Sequence, residues 1–208
     1  MTPCLLCKES TTRQLELAPQ FYHCISCSTV FRDSQFFISP EKEKERYLLH
    51  ENDVANAQYQ AFVSPIVTAV CNRFNPPSLG LDFGAGTGPV ITELLRDKGY
   101  QMNLWDPFFH TDNSVLEQKY EFIVCCEVIE HFHNPTTEFQ LMKRLLVPGG
   151  TLFCKTSLIL KKISFEDWHY KNDPTHVIFY SEENLKWIQQ HVGFSEVKID
   201  EELLVFSL

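Results

Sequence analysis

Leu81-Asp82-Phe83-Gly84-Ala85-Gly86-Thr87-Gly88 is a strand-like run that ends in three glycines at alternate positions and leads into a helical stretch from Val90 to Lys98. A strand ending this way lets its backbone pass very close to a bound ligand. Glycine suits the place because it has no Cβ and tolerates positive φ. The G-x-G-x-G spacing is tighter than the G-x-G-x-x-G of dinucleotide folds, so a pyrophosphate cradle is not the first reading. A purely structural strand-to-helix turn carries the same residues. A second group, Cys4-x-x-Cys7 and Cys24-x-x-Cys27, sets two pairs of thiols on short knuckles. Such turns point their sulfurs at a common centre, and two of them complete a tetrahedral thiolate set for zinc. With four protein ligands the ion has no open position, so it would staple the fold and take no part in catalysis. The third group is Glu127, Glu130 and His131. If a helical turn follows the strand before them, these three share one face at i, i+3 and i+4.

The elements that must position these groups can be read from periodicity and punctuation. The sequence predicts strands over 79–83, 101–105, 120–126 and 151–155, helices over 53–74, 90–98, 136–146 and 181–191, and a closing hairpin from 196–199 and 203–207. Ser181-Glu182-Glu183-Asn184 reads as a capping box with acids in the first turn. Alternating strands and helices imply an α/β, Rossmann-like, mainly parallel sheet with helices on both faces. Ligands of such sheets sit beyond the carboxyl ends of the strands. The cysteine spacing matches the zinc-ribbon pattern; the competing redox reading expects one C-x-x-C near a βαβ unit. Three parts are expected: a ribbon over 1–38, a connector with N-terminal helices over 39–77, and a catalytic domain over 78–208. The charged run Pro40 to Arg46 reads as a solvated helix face.

Composition narrows the function classes. The chain has 208 residues, 44% of them hydrophobic, with 17 Phe, enough to build a real core. A formal net charge of -9 argues against general affinity for nucleic acid or anionic membranes, although a local basic patch is compatible with it. No apolar run is long enough to span a bilayer, and Met1-Thr2-Pro3-Cys4 opens no signal peptide. A cytoplasmic location is therefore expected, with the eight cysteines as thiols or metal ligands. The residues carry no signal for an oligomeric state.

Four stretches occur in an order and spacing that resemble the class I S-adenosylmethionine-dependent methyltransferases. They are the glycine run, Trp105-Asp106-Pro107, Glu127-Val128-Ile129-Glu130-His131, and Leu146-Val147-Pro148-Gly149-Gly150-Thr151-Leu152. The resemblance covers about residues 78 to 156. It implies S-adenosylmethionine as cofactor, held by Asp82, Gly84, Ala85, Gly86, Gly88, Asp106, Pro107 and Glu127, with Asp106 accepting from the ribose hydroxyls. No acid for adenine is apparent in the short stretch between Asp106 and Tyr120. The E-x-x-E-H stretch, with His176 ahead of the capped helix, resembles the magnesium site of small-RNA 2′-O-methyltransferases. That likeness implies a divalent-ion set of Glu127, Glu130, His131 and His176. In other members of the fold the same stretch binds no metal, and its glutamate caps a turn while its histidine orients a ligand. His131, Glu127 and His176 are the catalytic candidates. His169 and Tyr170 line a substrate lid or are ordinary packing.

The acceptor class is less legible. The ribbon balances Lys8, Arg13 and Arg32 against Glu9, Glu16 and Asp33, so it lacks the basic stripe an RNA enzyme would want. O-methylation of a small molecule, as in the ubiquinone-type methyltransferases the chain resembles, fits best. An RNA methyltransferase, a docking module that keeps the cofactor fold without catalysis, and a nicotinamide-dependent oxidoreductase are the alternatives.

Overall fold

In the computed structural model, which describes residues 2–49, 53–159 and 164–208, the chain begins with a small antiparallel sheet. Its strands are β1 (Thr12–Leu15), β2 (Ala18–Cys24) and β3 (Val30–Arg32). The turn between β2 and β3 carries the second cysteine knuckle, and Cys4, Cys24 and Cys27 are buried. Two helices follow, α1 (Pro40–Leu48) and α2 (Ala57–Arg73). The Asn56 side chain caps α2 by accepting from the backbone N–H groups of Gln58 and Tyr59 at 2.9 and 3.2 Å. Val63, Ile66, Val67 and Val70 form its buried stripe at helical spacing.

The main sheet is built from β4 (Leu79–Phe83), β5 (Gln101–Trp105), β6 (Tyr120–Cys126) and β7 (Leu146–Lys155), with α3 (Val90–Arg96) and α4 (Pro135–Leu145) as crossovers. The two-residue β8 (Ile178–Phe179), α5 (Glu182–Ile188) and the hairpin β9 (Glu196–Asp200) and β10 (Leu203–Ser207) complete the chain. Strand order is β5-β4-β6-β7-β10-β9, with β5, β4, β6 and β7 parallel, β10 antiparallel to β7 and β9 antiparallel to β10. Alternation along β6, buried from Phe122 to Cys125, sorts its side chains to two layers. Phe122 and Val124 join α2 and α3, while Ile123 and Cys125 join α4 and α5. The order reverses at β4, whose neighbours β5 and β6 lead away on opposite sides. A crevice therefore opens beyond the carboxyl ends of β4 and β6.

The mainly parallel α/β sheet with helices on both faces is the expected one, and β4, β5, β6 and β10 keep the expected bounds. β7 starts earlier than expected, because Leu146 already pairs with Tyr120 across a register shift. The expected final helix stops at Ile188 and continues as a π turn to Gly193, whose φ is +87°. The N-terminal sheet also gains a fourth strand from far along the chain. β8 pairs antiparallel with β3 through Val30↔Phe179 and Phe31↔Ile178. Among the described residues no helix is long and apolar enough to cross a membrane.

Candidate active site

The glycine turn is held from below by β5. Gly84 and Ala85 N–H donate to the Trp105 carbonyl at 2.8 and 3.2 Å. Gly86 N–H donates to Asp106 Oδ2 at 3.0 Å. Asp106 Oδ1 accepts from the Phe108 and Phe109 N–H groups at 2.8 and 3.0 Å. A carboxylate offers about four lone-pair directions, so roughly one remains at Oδ2 for a ligand hydroxyl. Asp106 thus fixes the glycine turn as well as facing the crevice. Asp106→Ala should weaken S-adenosylhomocysteine binding by about 1–3 kcal/mol, the scale of a lost charge-assisted hydrogen bond. Unchanged calorimetric affinity would remove Asp106 from the site.

Asp82 lies beneath the turn and is buried, with Thr92 Oγ1 donating to its Oδ2 at 2.8 Å. Burial pushes its pKa up from 3.8 to about 6. A carboxyl whose folded pKa is raised contributes its stability below the unfolded value and loses it as pH rises through the folded one. At neutral pH the buried charge therefore costs at most about 3 kcal/mol. Asp82→Asn should melt above wild type at about pH 8 and alongside it near pH 4. A gap that stays constant across that range would contradict this assignment.

Above the turn lies a cavity of about 630 Å³. Gly84, Ala85, Gly86, Gly88, Asp106 and Pro107 line one part, and Glu127, His131 and His176 line another. Tyr59 and Phe62 of α2 and Glu43 and Tyr47 of α1 add to the wall. The solvated face expected for the charged run holds at Pro40, Glu41, Lys42, Lys44 and Glu45, while one side of α1 is half-buried. Glu43 and Tyr47 turn to the cavity, with Tyr47 Oη donating to Glu43 Oε1 at 2.6 Å, and Arg46 pairs with Asp173 at 2.8 Å. Among the described residues the lining includes five acids, Glu43, Asp82, Asp106, Glu127 and Glu138, and no lysine or arginine.

Beyond β6 the backbone does not run straight into a helical turn. Glu127 adopts φ +52°, and only Ile129–His131 forms a 3-10 turn. Ligand atoms of Glu130, His131 and His176 come within 4.8 Å of one another, and Glu127 stands outside that group. Glu127 is joined to it through Tyr170, whose hydroxyl lies 3.0 Å from Glu127 Oε2 and also bonds Glu130 Oε1. Thr156 Oγ1 donates to Glu130 Oε2 at 3.0 Å. His131 Nδ1 faces the Thr175 carbonyl at 3.0 Å and His176 Nδ1 faces the Tyr170 carbonyl at 2.7 Å. A carbonyl only accepts, so each Nδ1 carries the proton and each Nε2 keeps its lone pair. Burial holds His131 below its ordinary value. Burial and the neighbouring His131 push His176 down to about 4. Burial, then the Glu130 carboxylate, pushes Glu127 up to about 8, and burial pushes Glu130 to about 7. Near pH 7 the imidazoles are neutral and the two carboxyls share protons.

A family model described as a methyltransferase domain matches residues 55–199. The chain belongs to that family. Three solved structures share the fold. A SAM-dependent methyltransferase from Archaeoglobus fulgidus is 14% identical with a TM-score of 0.56, covering 85% of this chain and 100% of its own. An O-methyltransferase family protein from Burkholderia thailandensis is 8% identical with a TM-score of 0.53, over 79% of this chain and 61% of its own. Phosphoethanolamine N-methyltransferase 2 of Haemonchus contortus, solved with S-adenosyl-L-methionine, is 13% identical with a TM-score of 0.54, over 76% and 42%. The chain thus spans less than two thirds of the last two proteins. No curated protein matches it.

A further cluster lies in the N-terminal sheet. The Sγ atoms of Cys4, Cys7, Cys24 and Cys27 lie within 4.8 Å of one another, with Cys4–Cys27 and Cys7–Cys24 contacts of 3.5 Å each. Sulfurs bound tetrahedrally at about 2.3 Å would be about 3.8 Å apart, so the spacing suits zinc. Burial pushes the Cys7 thiol up to about 12, while the contact with Cys4 holds Cys27 down to about 5. The cysteine-bearing N-terminal segment packs into the same core as α4, and Thr136 Oγ1 donates to the Leu6 carbonyl at 2.7 Å. Cys125 and Cys154 are fully buried, whereas Cys126 is partly exposed and reaches the cavity. Sequence reasoning gave Tyr170 no definite role; as a lone aromatic in a loop it carries no spacing that marks a hub.

Proposed function

We propose that this methyltransferase transfers the methyl group of S-adenosylmethionine to a hydroxyl of a small molecule, with His131 as the proton acceptor. What supports the reading is a shared cavity: His131 and Glu127 line the same space as Gly84, Gly86 and Asp106. When bound, S-adenosylmethionine supplies a methyl carbon on a sulfonium, which departs as a neutral thioether. The chain's own task is then alignment and one proton. The Gly84–Gly88 turn lets the backbone approach the ligand, and Asp106 offers its free Oδ2 direction to the ribose. His131 Nε2 takes the acceptor's proton as the oxygen attacks, and the Thr175 carbonyl steadies the charge that forms on the ring. Tyr59, Phe62 and Tyr47 exclude water from the acceptor end. The acids of the lining disfavour a polyanion, which supports a small molecule over RNA.

A second reading adds a divalent ion such as magnesium. The clustering of Glu130, His131 and His176 favours it, since two free Nε2 lone pairs and a carboxylate would polarise a hydroxyl bound to the same ion. Against it stand the Glu130 oxygens, each already hydrogen-bonded to Thr156 or Tyr170. For the ribbon we infer a structural zinc on Cys4, Cys7, Cys24 and Cys27, in a part taken as residues 1–38.

A screen of phenols, alcohols and amines read by S-adenosylhomocysteine release, with and without magnesium, tests both readings. Turnover confined to hydroxyl acceptors and indifferent to chelation supports the first. Magnesium-dependent turnover selects the second, and turnover of amines alone would sink both. Elemental analysis should find one zinc per chain, and its absence from folded protein would end the zinc assignment.

A further inference from the structure

Both imidazoles of the site take their orientation from backbone carbonyls in the segment between Tyr170 and His176. The Tyr170 carbonyl holds His176 Nδ1 at 2.7 Å, and the Thr175 carbonyl holds His131 Nδ1 at 3.0 Å. The Tyr170 hydroxyl also bridges Glu127 and Glu130. Yet this segment has little regular structure of its own, only a 3-10 turn over His169–Asn172. Carbonyls outside helix and sheet need donors from elsewhere. One side chain supplies three. Arg32 of β3, 6% exposed, donates from Nε to the His176 carbonyl at 3.0 Å. Its Nη2 donates to the carbonyls of Lys171 and Asp173 at 2.9 and 3.0 Å. The guanidinium lies 4.8 Å from the centre of the Phe21 ring, which fixes its plane. Arg32 N–H donates to the Val177 carbonyl at 2.8 Å, continuing the β3–β8 pairing.

We propose that Arg32 is a positioning residue for the acceptor site: the ribbon reaches across and clamps residues 171–176, so that the Tyr170 and Thr175 carbonyls hold both imidazoles in one tautomer. The inference rests on the reading that His131 and His176 face the methyl acceptor. It makes the ribbon part of the active-site scaffold. A planar fork is required, because a lysine has no rigid geometry with which to reach three carbonyls spread over six residues. Arg46 supports the same segment from α1 through Asp173, whose other oxygen accepts from the Thr175 N–H and hydroxyl.

The test uses the full chain as purified, labelled with ¹⁵N on histidine, in wild type and in Arg32→Met and Arg32→Lys. Arg13→Met, at an exposed position on β1, serves as the control. Three quantities are read: imidazole ¹⁵N shifts, amide exchange over 170–177, and calorimetric affinity for S-adenosylhomocysteine. In wild type and Arg13→Met both rings should show the Nδ1–H tautomer. In Arg32→Met they should show a mixture, with exchange over 170–177 faster by about 10-fold or more and ligand affinity kept. Arg32→Lys should fall between the two. A single tautomer and unchanged exchange in Arg32→Met would overturn the proposal. If that variant does not fold, the same outcome in Arg32→Lys decides against it. Failure of wild type to bind S-adenosylhomocysteine would count against the cofactor reading alone, since tautomers and exchange are read without it.

Discussion

Gly84→Ala should all but abolish cofactor binding and lower the melting temperature as well. Gly84 adopts φ +82°, and a Cβ there would sit 2.5 Å from Val128 Cγ2. A left-handed alanine costs about 1–2 kcal/mol, and forcing a methyl into a filled space typically adds about 1–3 kcal/mol. The chain can relieve the clash only by moving the turn or by moving Val128, which sits between the glycine turn and the Ile129–His131 turn. Either movement spoils the cavity. Gly86→Ala makes the contrast. Gly86 also has positive φ, +62°, but its Cβ would meet nothing within 4 Å, and the residue lines the cavity. That variant should keep most of its stability and lose affinity, because the added methyl occupies ligand space. Melting curves and titrations of both variants check the pair. Equal, small effects at the two positions would contradict the account of the turn.

His131→Ala should lower the rate of methyl transfer by about 10²–10⁴-fold, the usual worth of a positioned general base, and leave S-adenosylhomocysteine affinity unchanged. Nδ1–H is committed to the Thr175 carbonyl, Nε2 keeps its lone pair, and burial keeps the ring neutral at and somewhat below its ordinary value. A base that must be unprotonated loses activity as pH falls through its pKa. The acid limb of the rate profile should therefore lie below 6.5 in wild type and vanish in the variant. Single-turnover rates with the first hydroxyl acceptor found in the screen measure this. A variant within a few-fold of wild type would remove His131 from the chemistry.

Much of this architecture is legible in the chain because its signals are local. Leu79–Phe83, Gln101–Trp105 and Tyr120–Cys126 are short apolar runs bounded by glycine, proline or charge, and strands over those ranges are what the structure contains. The hydrogen bonds around Asp106 likewise join residues close in sequence or at adjacent strand ends. What stays hidden depends on distant pairing. β8 has only Ile178 and Phe179, too few residues for any period, and it becomes a strand because β3 lies beside it. The charged run of α1 has the composition of a solvated face, so nothing in it marks Glu43 and Tyr47 as cavity residues. The E-x-x-E-H stretch suggests one helical face, but Glu127 turns to φ +52° to leave the strand. Glu127 therefore meets Glu130 through Tyr170, a partner forty-three residues away in sequence.

The proposed site for S-adenosylmethionine is the crevice beyond β4 and β6, organised by the glycine turn and Asp106. The most direct measurement is calorimetric titration of S-adenosylmethionine and S-adenosylhomocysteine into wild type and Asp106→Ala. Saturable one-to-one binding in the micromolar range, weakened in the variant, is the predicted result. Folded wild-type protein that binds neither ligand would contradict the claim.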